Sequence, residues 1–399
     1  IPCWYGDKPS HRTLRHAIPA NEDAMPTALQ LRNLEPFRYM RYAKEAEYAG
    51  GLYIAGSGMD MPSNETIGLE PSDFKLTSLC HNYGEPRAYD VLRSRYKIHP
   101  RNIFLSAGSS DAYVLICAAI LEPGDHVLVE VPGYEDFRRV PQLFSANWSP
   151  LPRREENGFI PDVAEFKKLL TPRTKLVFLA DLHNPTMVKI PPQVLRDLIK
   201  AARDNGTWVL VSEVYLDHLA VGTHDETCFG YGDNVIAVKS LTKVYGLGTL
   251  RYGWGFAPES LVSRIVDITD ITMPELPAIQ QNIGLKALKN LDRLRPLARK
   301  KHERGLPVMK EWVSRQQGVS AIFPDGGITV SIKVEGIGST WDFAAFAHKQ
   351  HSVQIAPGDA FDMAGWMRIG IKAEPEYLKK ALAALSNAIT AWRKLKKQQ

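Results

Sequence analysis

A chain of 399 residues with 44% hydrophobic and 23% charged residues has the composition of a globular protein, and it is long enough for more than one hydrophobic core. The net charge of +5 is small for this length and the basic residues are dispersed, so the composition gives little support to nucleic-acid binding. No stretch approaches the ~18 uninterrupted apolar residues of a membrane span, which excludes a membrane protein.

The predicted elements follow one another in a simple order. Residues 1–34 are polar, contain prolines and show no periodicity, which predicts an extended arm. Residues 35–51 have helical spacing that ends at a pair of glycines, as is typical of a helix with its C-cap. Over roughly residues 100–256, apolar runs alternate with helical periods, which predicts an α/β domain with a mainly parallel sheet. Helices would cover both faces of this sheet, and ligands would bind at the strand ends.

Two serines, Ser109 and Ser110, follow a buried strand and a small-residue turn, at the point where a long apolar helix begins. The free N–H groups at such a helix start, together with the helix dipole, form a site for an anion. Serine also caps helices in the absence of any ligand, and the two roles are compatible. The turn is therefore a candidate phosphate site.

The segment SLTKVYGLGTLR places Ser240 three residues before Lys243 and Arg251 eight residues after it, on a glycine-punctuated loop. We expect this lysine to be held away from water. A lysine amine is a poor nucleophile unless burial or a nearby positive charge lowers its pKa from about 10.4. Arg251 can supply that charge and bind a phosphate, and the Ser240 hydroxyl can bind another phosphate oxygen. These residues alone leave two alternatives open, a Schiff-base lysine for a phosphorylated aldehyde or an ordinary surface loop.

This spacing resembles the lysine signature of the class I/II aminotransferases, the aspartate-aminotransferase-like branch of fold type I enzymes that use pyridoxal 5'-phosphate (PLP). Further motifs of the family occur in the same order, so the resemblance covers roughly residues 35–395. It implies a large PLP-binding domain at residues 35–290 with a seven-stranded sheet. It also implies a small α+β domain at residues 291–399, joined by part of the N-terminal segment, and a homodimer with shared active sites.

The resemblance further implies which residues bind the cofactor. Lys243 forms the Schiff base and later moves the substrate proton. The residues implied for the cofactor phosphate are Tyr83 (from the neighbouring subunit), Gly108, Ser109, Ser110, Ser240 and Arg251. Those implied for the pyridine ring are Tyr134, which stacks on its face, Asn184 and Tyr215, which bond its phenolic oxygen, and Ser212. Arg368 binds the substrate carboxylate, with Asn184 on the same side, and the alternative for a lone arginine there is a structural salt bridge.

Ser212 is the informative departure from the family. Relatives have an aspartate at this position, which keeps the pyridine nitrogen protonated through a charge-assisted hydrogen bond of roughly 1.5–3 kcal/mol. A serine can instead bond a neutral nitrogen. Glu213 cannot readily substitute, because adjacent strand residues point to opposite faces. We therefore expect slower or altered chemistry. Met187, where relatives usually have glycine, is expected to alter the turn after Asn184 and narrow the substrate side.

Three functions follow from these observations. The first is a PLP-dependent aminotransferase that acts on an amino acid and a 2-oxo acid. The second is a PLP enzyme of the same fold that catalyses elimination, cyclisation or decarboxylation in biosynthesis. Ser212 favours it, and so does a stretch at residues 35–69 that resembles a branch containing both capreomycidine-synthase-like cyclases and uncharacterised aminotransferases. The third, a PLP-binding transcription regulator, needs a winged-helix domain, for which the N-terminal arm is too short.

The remaining expectations concern partners and location. The sequence shows no cluster of metal ligands, no GxGxxG motif after a strand and no internal repeat, so neither a metal nor a nicotinamide cofactor is expected. The four cysteines have no regular spacing, which suggests reduced thiols in a cytoplasmic protein. The chain begins at Ile1, so a processed N-terminus stays open.

Overall fold

The computed structural model describes residues 35–76, 86–219 and 225–398. The predicted arm at residues 1–34 and the predicted phosphate ligand Tyr83 lie outside the described residues. From Phe37 onward the chain forms one compact unit.

Strands and helices alternate through the first two thirds of this unit, as the sequence predicts. The strands are β1 (Leu52–Tyr53), β2 (Ile103–Ser106), β3 (His126–Val131), β4 (Asn147–Pro152), β5 (Thr174–Ala180), β6 (Trp208–Ser212), β7 (Val235–Ser240), β8 (Gly253–Phe256), β9 (Val319–Ile322), β10 (Thr329–Val334), β11 (Val353–Gln354), β12 (Ala356–Pro357) and β13 (Trp366–Gly370). The α-helices are α1 (Arg38–Tyr48), α2 (Asn64–Ile67), α3 (Pro86–Tyr96), α4 (Ser109–Ile120), α5 (Asp136–Leu143), α6 (Val163–Leu169), α7 (Pro192–Asp204), α8 (Glu259–Thr272), α9 (Ala278–Lys289), α10 (Leu291–Ser314), α11 (Thr340–His351) and α12 (Pro375–Gln398). None of the helices in the described ranges is both long and apolar enough to cross a lipid bilayer.

Seven strands form the central sheet, in the order β2-β8-β7-β6-β5-β3-β4. The strands from β7 to β4 pair in parallel, whereas β8 is antiparallel to both of its neighbours. Their short runs of Val, Ile and Leu are buried on both faces, as is typical of parallel strands covered by helices. The predicted α/β fold with a mainly parallel seven-stranded sheet is therefore confirmed.

Helices cover both faces of the sheet, and the alternation of side chains decides which face each residue joins. Leu210 and Ile236 pack on the face covered by α4, α5 and α8, whereas Val211 packs on the face covered by α3, α7 and α9. Ser212 and Ser240 are the last residues of β6 and β7 and continue the alternation of Leu210 and Ile236. Their side chains therefore lie on the α4 face, at the carboxyl ends of neighbouring strands.

A second hydrophobic core surrounds a four-stranded antiparallel sheet of order β12-β13-β10-β9. Helices α11 and α12 pack against it, and the 24-residue helix α10 contributes Met309 and Trp312. From the N-terminal part of the chain, Ile54 joins this core and β1 pairs with β11. These elements fit a small domain that takes in part of the N-terminal segment, while the boundaries 35–290 and 291–399 stay a prediction.

Candidate active site

Lys243 lies in the turn that follows β7, three residues beyond Ser240, the last residue of the strand. Its carbonyl oxygen accepts a hydrogen bond from the N–H of Met59 at 2.9 Å. A Cβ atom at Gly58 would come within 3.9 Å of the lysine Cδ, so the 55–59 loop passes close to the side chain. Lys243 is half-buried, whereas the sequence led us to expect a lysine withdrawn from water. The difference arises because the side chain lies at a strand end rather than within the core.

The predicted phosphate residues converge at the start of α4. Gly108 precedes this helix with φ +86°, a conformation that favours glycine, and no side chain caps the helix start. Arg251 donates from Nη2 to the carbonyl oxygen of Ala107 at 3.2 Å and from Nη1 to that of Gly248 at 3.0 Å. A Cβ atom at Gly108 would lie 2.8 Å from the guanidinium carbon of Arg251. The turn and the guanidinium are thus in direct contact.

Strand pairing places Ser240 on the same side of the sheet as the turn before α4. Gly253 of β8 pairs with Ser106 on one side and with Ser240 on the other. Ser106 is two residues before Gly108, so strand β8 separates Ser240 from the strand that leads into α4. The described contact of the Ser240 hydroxyl is a weak hydrogen bond that it accepts from the N–H of Thr242 at 3.3 Å.

A buried carboxylate, Asp136, borders this group. The hydroxyl of Ser110 donates to Asp136 Oδ2 at 3.0 Å. Burial raises the pKa of Asp136 to about 6, although the hydrogen bond from Ser110 and the charge of Arg251 oppose the increase. The candidate phosphate site therefore borders a carboxyl group whose pKa lies slightly below neutral pH.

Arg368 is 1% exposed in the middle of β13, where it joins two parts of the fold. Its Nη1 donates to Asn184 Oδ1 at 2.8 Å, and its Nη2 donates to the carbonyl oxygen of Ala55 at 3.2 Å and to the hydroxyl of Tyr39. The rings of Tyr39 and Phe361 lie 5.4 and 4.8 Å from its guanidinium carbon, within cation–π range. Aromatic packing and the hydrogen bonds fix the plane of the guanidinium.

Tyr215 follows β6 and is buried, and its hydroxyl donates to Ser57 Oγ at 3.1 Å. Ser57 belongs to the same 55–59 loop that contacts Arg368 through Ala55 and Lys243 through Met59. One short loop therefore brings together three residues that the sequence assigned to a single site.

Ser212 faces α4, where its hydroxyl forms a 2.7 Å hydrogen bond with the hydroxyl of Tyr113. Glu213, the next residue, lies on the opposite face, with Oε2 3.5 Å from the Nζ of Lys239 and Oε1 accepting from the N–H of Cys228 at 2.6 Å. The alternation of the strand thus separates this carboxylate from Ser212, as predicted.

Tyr134 is half-buried between β3 and α5, among aromatic side chains. Its ring lies edge-on to those of Phe37, Tyr39 and Phe137, with centroids at 5.6, 6.1 and 6.0 Å. Met187 is buried with φ +60°, and its sulfur would lie 3.2 Å from a Cβ atom at Gly327. The turn after Asn184 thus keeps a left-handed residue although it lacks the usual glycine.

The comparison with protein families identifies this arrangement. The family model described as aminotransferase class I and II matches residues 70–385, which is more than half of the chain. The chain belongs to the class I and II aminotransferase family. PLP is therefore the cofactor of this aminotransferase-family protein, which is a PLP-dependent enzyme of fold type I.

Individual relatives span different reactions. Capreomycidine synthase of Streptomyces vinaceus is 28% identical over 77% of this chain and 79% of its own length. Arginine–pyruvate transaminase of Pseudomonas aeruginosa is 27% identical over 72% of this chain and 75% of its own. Among solved structures, a PLP-dependent aminotransferase from Streptococcus suis superimposes with a TM-score of 0.82, at 26% identity, over 90% of this chain and 99% of that one. The family-level assignment is thus clear, while the relatives differ in the reaction they catalyse.

The residues of this family member fit PLP. Gly108 lets the Arg251 guanidinium lie against the start of α4, because a Cβ atom at position 108 would lie 2.8 Å from the guanidinium carbon. The guanidinium and the N–H groups of the helix start together suit an anion. Two buried donors close to the assigned residues have no partner in the described part of the chain, Arg368 Nε and the hydroxyl of Thr242. Buried polar groups are normally hydrogen-bonded, so these donors indicate a polar ligand. The described residues contain no group of three side chains placed to bind a metal ion.

Three residues of this candidate site were missed by sequence reasoning: Tyr39, Ser57 and Tyr113. Their partners Arg368, Tyr215 and Ser212 lie 329, 158 and 99 positions away in the chain. No spacing rule reaches across such distances. A possible signal for Tyr113 was its place four residues into α4 from Ser109, on the helical face that also carries the phosphate serines.

Proposed function

We propose that this protein transfers the amino group of an amino acid to a 2-oxo acid. The observation that carries the proposal is the 55–59 loop, which contacts Arg368, Tyr215 and Lys243 together. A transaminase needs a reactive amine and a carboxylate clamp in one site, because the same pocket must bind the amino acid and then the oxo acid. These contacts support such a site.

Each residue has a defined task in the proposed reaction. Bound PLP supplies an aldehyde that accepts amines and a ring that withdraws electrons from the substrate Cα. Lys243 would hold the cofactor through its amine, and the same amine, once free, would act as the base that takes the proton from the substrate Cα. Arg251 and the α4 start at Ser109 hold the phosphate dianion. Arg368 grips the substrate carboxylate with its planar fork.

The remaining assignments concern the ring of the cofactor. Tyr134 stacks on its face and limits its tilt, and Asn184 and Tyr215 bond its phenolic oxygen. Asn184 also lies 2.8 Å from Arg368, so it bridges the cofactor side and the substrate side. The bridge supports the double assignment of Asn184.

The proposal is tested by single-turnover half-reactions. The holoenzyme is mixed with individual amino acids in the absence of a 2-oxo acid, and the products are measured by mass spectrometry. We expect one equivalent of 2-oxo acid per active site for the preferred amino acid, together with conversion of the cofactor to its amine form. Continued release of ammonia or of a ring-closed product without that conversion would reject transamination.

A second candidate is elimination or cyclisation on the same scaffold. It is favoured by the relative that is a capreomycidine synthase and by Ser212, because a serine cannot hold the pyridine nitrogen in its charged form as a carboxylate does. The same experiment separates the candidates, since a cyclase or lyase regenerates its aldehyde cofactor in every turnover.

The quaternary structure and location complete the proposal. We infer a homodimer in which Tyr83 of one subunit completes the phosphate site of the other, with a large domain at residues 35–290 and a small one at 291–399. A cytoplasmic location is supported by two buried thiols without disulfides, Cys117 and Cys228. Sedimentation with and without Tyr83→Phe, combined with cofactor titration, tests the shared site.

A further inference from the structure

Tyr113 and Ser212 form a buried pair of hydroxyl groups between α4 and β6. Both residues are 2% exposed, and their oxygens lie 2.7 Å apart. The ring of Tyr113 is fixed by edge-on contacts with Phe137 and Phe178, at centroid distances of 5.5 and 5.9 Å. The phenol therefore has one orientation, in which its hydroxyl meets Ser212.

The chemistry of the two groups sets the direction of this hydrogen bond. A phenol is a stronger acid than an alkyl hydroxyl, so Tyr113 is the better donor and Ser212 Oγ the better acceptor. The hydrogen-bond chain therefore runs from the Tyr113 hydroxyl to the Ser212 oxygen.

The proton of the Ser212 hydroxyl is the end of this chain. Within the described ranges, Tyr113 is the hydrogen-bond partner of that hydroxyl. Because Tyr113 is the donor in this bond, it does not accept the Ser212 proton. The neighbouring carboxylates are engaged elsewhere: Asp136 accepts from Ser110, and Glu213 faces Lys239 on the opposite side of the sheet. The Ser212 proton is thus available to an acceptor outside the protein.

We propose that Tyr113 is a positioning residue that makes the Ser212 hydroxyl a hydrogen-bond donor to the ring nitrogen of bound PLP, so that the nitrogen is held without a proton. The inference rests on the proposed function, in which Lys243 holds PLP and Ser212 meets its ring nitrogen. Burial raises the pKa of Tyr113, which keeps the phenol neutral and able to donate. A neutral ring withdraws electrons from the substrate Cα less strongly than a pyridinium does, so this enzyme limits carbanion stabilisation.

The test measures the ring nitrogen itself. Holoenzyme is prepared with PLP labelled with 15N in the ring, and the nitrogen chemical shift is followed by NMR from pH 8 downward. The variants are Tyr113→Phe, Ser212→Ala and the double variant. Tyr96→Phe is the matched control, because Tyr96 is a buried tyrosine on the other sheet face, packed on Phe256 at 4.8 Å. Borohydride reduction and peptide mapping establish separately that PLP is attached to Lys243.

We expect an unprotonated nitrogen in the unaltered enzyme at pH 7. Tyr113→Phe should raise the pH midpoint of protonation by about one unit, a factor of about ten in the protonation constant, because Ser212 can then accept instead of donate. Ser212→Ala should raise it too, and adding Tyr113→Phe to Ser212→Ala should change nothing further, since Tyr113 acts through Ser212. Tyr96→Phe should match the unaltered enzyme.

A protonated nitrogen in the unaltered enzyme at pH 7, or a midpoint that neither single variant raises, overturns the inference. With the Lys243 adduct present, such a result leaves the proposed function standing. Absence of the adduct overturns both. If Tyr113→Phe does not fold, Ser212→Ala alone tests the inference. An unchanged midpoint in Ser212→Ala would show that Ser212 does not donate to the ring nitrogen.

Discussion

Arg368 Nη1 donates to Asn184 Oδ1 at 2.8 Å, and this contact joins the two sheets of the molecule. Arg368 lies in β13 of the four-stranded sheet, whereas Asn184 lies four residues beyond the end of β5 in the seven-stranded sheet. A ligand that engages both residues would therefore be held between the two cores. The relationship places the substrate carboxylate at this junction in our proposal.

Replacing Arg368 by lysine keeps the charge and removes the planar fork. We expect kcat/KM for the preferred amino acid to fall roughly 10- to 100-fold, mainly through KM, because a charge-assisted hydrogen bond is worth about 1.5–3 kcal/mol. Steady-state kinetics measures this change. Arg393→Lys is the control, since Arg393 bonds carbonyl oxygens of residues 317, 318 and 335 in the small-sheet region. Equal losses in the two variants would show that Arg368 is not a clamp.

Ser212→Asp introduces the carboxylate that the family resemblance leads us to expect at this position. The aspartate should keep the ring nitrogen protonated, and the protonated ring withdraws electrons more strongly from the substrate Cα. We therefore expect the amino-acid half-reaction to be faster by about tenfold or more. Ser212→Asn has a similar volume without the charge and should give no such gain. Stopped-flow measurement of the cofactor absorbance follows both variants. A normal transamination rate in the unaltered protein that rises little in Ser212→Asp would contradict our account of the departure.

Gly108→Ala tests the turn beneath Arg251. The added Cβ must accept φ +86° and displace the guanidinium, so we expect roughly 1–3 kcal/mol of lost stability and about tenfold weaker PLP binding. Gly124→Ala is a close control, because Gly124 has φ +87° with nothing within 4 Å of its Cβ position. Urea unfolding and PLP titration measure the two effects. Weakened PLP binding in both variants would mean that backbone strain, rather than Arg251, causes it.

Asp136→Asn tests the acid beside the phosphate site. The pKa of Asp136 in the folded protein, about 6, exceeds the ordinary value of 3.8. Burial of the charged carboxylate therefore lowers the stability of the protein above pH 6. This cost falls with pH and disappears once the carboxyl is protonated in both the folded and the unfolded protein, near pH 4 and below. We expect the variant to be more stable than the unaltered protein at pH 7.5, by at most about 3 kcal/mol, with the difference vanishing near pH 4. Urea unfolding at several pH values measures the difference. Asp267→Asn, at an exposed position, is the control and should show no such trend. A gain in stability for Asp136→Asn that is independent of pH would show that burial of the charged carboxylate is not its cause.

The parts of the site that the sequence predicted are those fixed by local rules. Strand alternation placed Ser212 and Glu213 on opposite faces, and the predicted helix start agrees with Ser109 as the first residue of α4. Parallel pairing then brings separate strand ends to one edge of the sheet, which is why Ser240 and Ser212 lie at the ends of neighbouring strands. Such inferences need only the period of each element and the order of the strands.

The missed residues depend on how the two cores pack together. Tyr39 reaches Arg368 because Glu135 accepts hydrogen bonds from the N–H groups of Arg38 and Tyr39 and so fixes the start of α1 against the loop before α5. Nothing in the spacing of these residues reveals that contact. The exposure of Lys243 was also misjudged, because solvent access depends on how closely the 55–59 loop covers the strand end.

The most direct measurement of the central claim is the position of the covalent cofactor. Purified protein with excess PLP is reduced with borohydride and digested, and the peptides are mapped by mass spectrometry beside a Lys243→Ala variant. We predict a reduced PLP adduct on Lys243 and none in the variant, although its phosphate site is intact. An adduct on another lysine, or no adduct in the unaltered protein, would contradict the account.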